Sequence, residues 1–133
     1  MKQENLDDLV AAVLAVNSYS IEKAWALLPK LREAGLTTPV TFPTDLGPAT
    51  VKLASAGYDR GLLTEMFAKR LLGLMQEAGS GALDELDAFV EADRKDDAVA
   101  LLVTVPGIGP KVARTAWELL RSGRGAAGAA SKS

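Results

Sequence analysis

The least generic chemistry in this sequence lies in Leu101-Leu102-Val103-Thr104-Val105-Pro106-Gly107-Ile108-Gly109-Pro110-Lys111-Val112-Ala113. An apolar helix end runs into a turn with glycines on both sides of Ile108, and a fresh helix start follows. Glycine takes backbone angles closed to other residues and lets another backbone approach, while Ile108 is suited to pin the turn to the core. Such a turn ahead of a helix N-terminus makes a nest of amides, which is an anion site. Lys111 falls on the first turn of the new helix, and Arg114 lies three residues on along the same face. A phosphate is the natural ligand. The plainer alternative is a tight helical hairpin whose glycines serve only the turn. The added proline, lysine and alanine at fixed offsets make the pattern more restrictive than an isolated Gly-x-Gly.

Composition closes off other chemistries. The chain has 133 residues with no cysteine and no histidine. The ligands of a cysteine-held iron–sulfur cluster or zinc finger are therefore absent, as are disulfides. A Ser-His-Asp or Cys-His unit is equally excluded, since no imidazole is present to move the proton. Any catalysis rests on Lys, Asp, Glu, Ser or Tyr. With 48% hydrophobic and 24% charged residues the composition is that of one ordinary globular domain. No apolar run is long enough for a membrane span and the start lacks an apolar signal core, so a cytoplasmic protein without a membrane partner is expected. The net charge of −2 hides an asymmetry: residues 104–133 hold Lys111, Arg114, Arg121, Arg124 and Lys132 against Glu118 alone. The hairpin end is basic and the remainder is acidic.

The elements that must position this hairpin read as helices. Leu6, Leu9, Val10, Val13, Leu14 and Val16 recur at spacings of three and four, which predicts a first helix over 5–16, with Asp7 and Asp8 near its positive end. Ser20 is a suitable N-cap for a second helix that stops at Gly35, and Pro29 inside it predicts a kink or a division. Residues 37–44 hold four threonines and two prolines and read as a loop, with a weak two-strand alternative at Val40-Thr41-Phe42. Asp45 then caps a helix with Pro48 in its first turn, ending at Gly57. A longer helix is predicted from Asp59 to about Gly79, a fifth over 83–92, a sixth over 96–103 and a last from Pro110 to Ser122. The fold class is all-α: a compact bundle of six to seven helices over 1–122 that ends in a helix-hairpin-helix with its hairpin at 105–110. The Gly-rich stretch 123–133 reads as a flexible tail.

With these residues in view, Val105 to Ala113 resembles the helix-hairpin-helix of the endonuclease III superfamily of DNA glycosylases. The preceding helices, about Leu6 to Val103, match the order, lengths and loops of that family's six-helix barrel. The resemblance implies base-excision repair: hairpin amides around Gly107, Ile108 and Gly109 on the backbone of double-stranded DNA, damaged or abasic, with Lys111 and Arg114 on its phosphates. It also implies a monovalent cation at the hairpin as the one cofactor left open. Lys111 stands where lyase-competent members carry the amine that attacks the sugar C1′. That chemistry needs a neutral amine, which burial and a cation such as Arg114 would favour. Asn17, in the loop Asn17-Ser18-Tyr19, falls where the family fills the gap left by a flipped base. Tyr58, after Gly57, falls in its second wedge loop, where an aromatic could stack on an exposed base.

The sequence also departs from that family. Beyond Lys111 it carries no aspartate to serve as the family's water-activating or cation-stabilising group, and the only acid there is Glu118. The family's second domain is not in this sequence, so a partner subunit or a second copy is expected to cover the apolar cleft. Two readings therefore stand: a DNA-docking glycosylase relative with abasic-site lyase activity through Lys111, or a non-catalytic DNA- or protein-binding module derived from that fold. Of the remaining candidates, Asp84, Glu85 and Asp87, and Asp93, Asp96 and Asp97, sit at helix starts and read as dipole partners more than as cation ligands. Trp25 and Trp117 read as core. Lys69-Arg70 is either a backbone contact or a solvated face.

Overall fold

The computed structural model describes residues 1–16 and 19–122, and over these the chain is all-helical, with seven α-helices. The expected wedge residue Asn17 and the tail 123–133 lie outside the described residues. The helices are α1 (Gln3–Leu14), α2 (Ile21–Glu33), α3 (Leu46–Ser55), α4 (Thr64–Gly79), α5 (Leu86–Glu91), α6 (Lys95–Leu102) and α7 (Pro110–Ser122).

Helix α1 is the axis of the fold. Every residue from Asn5 to Leu14 is buried, including Asp7 and Asp8, because α2, α4 and α7 all pack on it. A helix that is covered all round must satisfy its own polar groups. Asp7 accepts from Gln3 Nε2 at 2.8 Å and from the Arg32 guanidinium of α2 at 3.1 Å, while Asn5 Nδ2 donates to Asp87 at 2.6 Å.

Several elements differ from the sequence expectation for local reasons. Pro29 neither breaks nor divides α2, which runs unbroken from Ser20, whose Oγ accepts from Lys23 N at 3.1 Å. Pro29 is exposed, so the carbonyl left without its helical donor can turn to water. Asp45 occupies the N-cap position of α3, but its side chain makes no cap bond. The long helix expected from Asp59 starts instead at Thr64, after a single 3₁₀ turn at Gly61–Leu63. The cause is side-chain competition for backbone amides: Asp59 accepts from Gly61 N at 3.0 Å and Thr64 Oγ1 from Arg60 N at 2.8 Å. Residues 80–85 form turns, so α5 is shorter than 83–92 although Leu83 is buried. No strand occurs among the described residues.

Helix α7 carries the hairpin. Ala113, Ala116, Trp117, Leu119 and Leu120 are buried on one face, packed against α1 and α6, and Lys111, Arg114 and Glu118 are exposed. Trp117 is core, as read, and Trp25 packs partly buried against it.

Candidate nucleic-acid interface

The hairpin between α6 and α7 is held at two points and open elsewhere. Val105 and Ile108 are buried, and Ile108 N donates to Val105 O at 3.0 Å, which closes the turn. Gly107 has φ +91°, and a Cβ there would stand 2.8 Å from Arg70 Cγ. The position thus needs glycine both for its backbone and for the approach of α4. Helix α7 then begins on Pro110, whose missing amide is one that a helix start leaves unbonded anyway.

What remains is a set of free donors. Among the described residues, the amides of Gly107, Gly109, Lys111 and Val112 have no acceptor in the protein, and the first amide of α7 to return to the chain is Ala113 N, to Gly109 O at 2.9 Å. Lys111 and Arg114 are exposed beside them. Neither forms an ion pair among the described residues, whereas Arg32, Arg94 and Arg121 pair with Asp7, Asp97 and Glu118. Unbonded amides, a helix dipole and uncompensated cations act on an anion in the same direction. Lys111 presents its amine in the open and not inside a buried pocket.

A monovalent cation would have to be held by hairpin carbonyls. Those of Val105 and Gly109 already accept amides, and the Pro106 carbonyl lies 3.7 Å from where a Gly73 Cβ would stand, facing α4. Each carbonyl that accepts one amide keeps a second lone pair with which it could hold such an ion, and no step below runs through one.

Tyr58 is not presented to a base. It is fully buried, its hydroxyl donates to Leu14 O at 2.6 Å, and its ring meets Tyr19 and Phe67 edge-on at 4.8 and 5.3 Å. The turn after α3 causes this: Gly57 at φ +111° lets Tyr58 N bond back to Leu53 O at 3.1 Å, directing the side chain inward. Burial pushes its pKa up to about 12, partly offset by the Arg60 guanidinium beside it.

No sequence signal singles out Arg60, and Arg70 stands out only within the Lys69-Arg70 doublet. The Arg60 guanidinium lies 5.2 Å from the Tyr19 ring centroid and 5.3 Å from that of Phe67, and Nη1 donates to Tyr58 Oη at 2.9 Å and Val16 O at 3.4 Å. Arg70 reaches the Phe67 ring too, at 5.5 Å. The contacts therefore run from Tyr19 through Arg60, the fully buried Phe67 and Arg70 to Gly107, and they link the end of the α1–α2 connection and the 3₁₀ turn to the hairpin. The Lys69-Arg70 doublet and the turn at Gly107 are the sequence signals that fall on these contacts.

The acidic groups behave as structure. Among the described residues no group of three or more carboxylates is placed to hold a metal ion. Asp87 accepts from Lys2 N at 2.8 Å as well as from Asn5. No helix among the described residues is long and apolar enough to cross a membrane. No family model matches the chain, and no curated protein or solved structure matches it either.

Proposed function

We propose that this chain is a DNA-binding protein that docks on the phosphate backbone of duplex DNA through its α6–α7 hairpin. The observation that carries the reading is the cluster of four unbonded amides at Gly107, Gly109, Lys111 and Val112 with unpaired Lys111 and Arg114 beside it. The first amides of a helix have no acceptor within it, and phosphate oxygens accept from several such donors at once. The resemblance to the helix-hairpin-helix of endonuclease III-like glycosylases supports the same ligand. Contacts of this kind position a protein on DNA without reading sequence.

Titration of a labelled duplex over a salt series tests this. With on the order of three phosphates neutralised, log K falls against log salt with a slope of about −2.7, at about −0.9 per phosphate. Absence of affinity at low salt, or full affinity in Gly107→Ala/Lys111→Glu, would sink the reading.

The resemblance places Lys111 where lyase-competent members carry their amine, and that is the ground for a second activity at the same place. Exposure of the amine removes the burial that would favour its neutral form. On the open-chain aldehyde of an abasic site the Lys111 amine would add to C1′, lose water to give a Schiff base, and allow β-elimination of the 3′ phosphate. Borohydride trapping on abasic duplex separates the two readings. An adduct lost in Lys111→Ala marks a lyase, and binding without an adduct marks a non-catalytic module.

A further inference from the structure

A groove of about 380 Å³ runs between α4 and the hairpin, beside Gly107. Its apolar lining comes from Met66, Leu72 and Pro106, Gly73 leaves part of it bare of side chain, and Lys69 and Arg70 supply the charge. No acidic residue lines it, unlike the groove between α2 and α3, where Glu33 stands with Lys30 and Lys52. Neither Lys69 nor Arg70 has an ion-pair partner among the described residues.

Arg70 is also held in place. Its guanidinium lies 5.5 Å from the Phe67 ring centroid, and its stem passes so close to Gly107 that a Cβ there would stand 2.8 Å from Cγ. A cation already confined by an aromatic face and a backbone loses little further freedom on meeting an anion. The contact of Arg70 with the Phe67 ring leaves the guanidinium without a carboxylate among the described residues, so its charge is not neutralised within the fold.

We propose that this α4 face carries the DNA strand onward from the hairpin, with Lys69 and Arg70 on two further phosphates and the apolar groove lining against deoxyribose. The inference rests on the hairpin docking argued above. A nucleic-acid backbone alternates anionic phosphate with the apolar face of a sugar, and this groove joins cations to apolar side chains without a carboxylate. Its continuity with the open amides at Gly107 makes one interface of the two. An acidic segment of a protein partner, or a second copy of the chain, is the competing occupant.

The test compares salt slopes of duplex binding for the full chain and its variants. Lys69→Ala is expected to make the slope shallower by about 0.9 and Lys69→Ala/Arg70→Gln by about 1.8, equally on unrelated sequences. Lys69 is exposed, so its single variant decides the matter even where loss of Arg70 disturbs the hairpin. An unchanged slope in Lys69→Ala, in a protein whose binding still responds to Lys111→Glu, overturns this inference and leaves hairpin docking standing. An unchanged slope together with a shift in sedimentation behaviour would assign the groove to self-association and overturn it equally. No affinity in the unaltered chain at low salt removes the docking itself.

Discussion

Around the start of α1, polar groups close on one another: Gln3 Nε2 donates to Asp7 and to Thr37 O, each at 2.8 Å, Arg32 holds the other Asp7 oxygen, and Asn5 with Lys2 N satisfies Asp87. Around the hairpin the reverse holds. The amides of Gly107, Gly109, Lys111 and Val112 find no acceptor, and Lys69, Arg70, Lys111 and Arg114 find no carboxylate, among the described residues. The first cluster ties α1 to α2, to the 37–44 loop and to α5, so its bonds belong to the stability of the fold. Open donors contribute nothing to that stability, and at the hairpin they coincide with cations that have no carboxylate, which is the combination the proposed docking uses.

The difference can be broken from the open side first. Lys111→Glu/Arg114→Glu is expected to lower duplex affinity on the order of 100-fold, about 2.7 kcal/mol, with no change in melting temperature, measured by anisotropy and thermal denaturation on the same preparation. A fall in Tm would show that these cations are structural after all. From the closed side, Asp87→Ala leaves Asn5 Nδ2 without its acceptor. The expected cost is about 1–3 kcal/mol in urea denaturation, with duplex affinity unchanged well below the transition. Gly107→Ala couples the two regions' roles. Its backbone at φ +91° and the displaced Arg70 should destabilise the fold by about 1 kcal/mol and weaken DNA binding as well.

The smallest effect near neutral pH comes from Tyr58, whose buried phenol titrates at about 12 against an ordinary 10.0. A raised folded-state pKa means that its contribution is complete below the unfolded value and is lost as the pH climbs from 10 toward 12. Stability should therefore fall across that window in the parent protein and change less in Tyr58→Phe, with the late ionisation followed by phenolate absorbance. Duplex binding at neutral pH should be the same in both.

Local signals carried the hairpin and failed where burial is a collective property. Pro110 and the glycines around Ile108 act on their own backbone, so the start of α7 and the turn before it are where the sequence placed them. The same holds for Ser20, whose side chain needs only Lys23 N three residues on. The spacing of Leu6, Leu9, Val13 and their neighbours, by contrast, implied a one-sided helix. Three partners cover α1, and that is why Asn5, Asp7 and Asp8 are buried with it. Tyr58 looked like a loop aromatic until the turn at Gly57 was seen to direct it inward onto Leu14 O.

From the sequence alone followed the helical class, the exclusion of cysteine and histidine chemistry, and a basic Gly-x-Gly hairpin, because composition and nearest-neighbour backbone preferences act within a few residues. Only the tertiary structure decided which charges are spent on the fold and which stay free. Arg32 and Arg70 are both α-helical arginines, yet packing brings one to Asp7 and lays the other across Gly107 beside open amides. Arg94–Asp97 and Arg121–Glu118 are pairs three residues apart, but whether Arg32 or Arg70 meets a counterion depends on segments far away in the chain, and no local pattern encodes that distance.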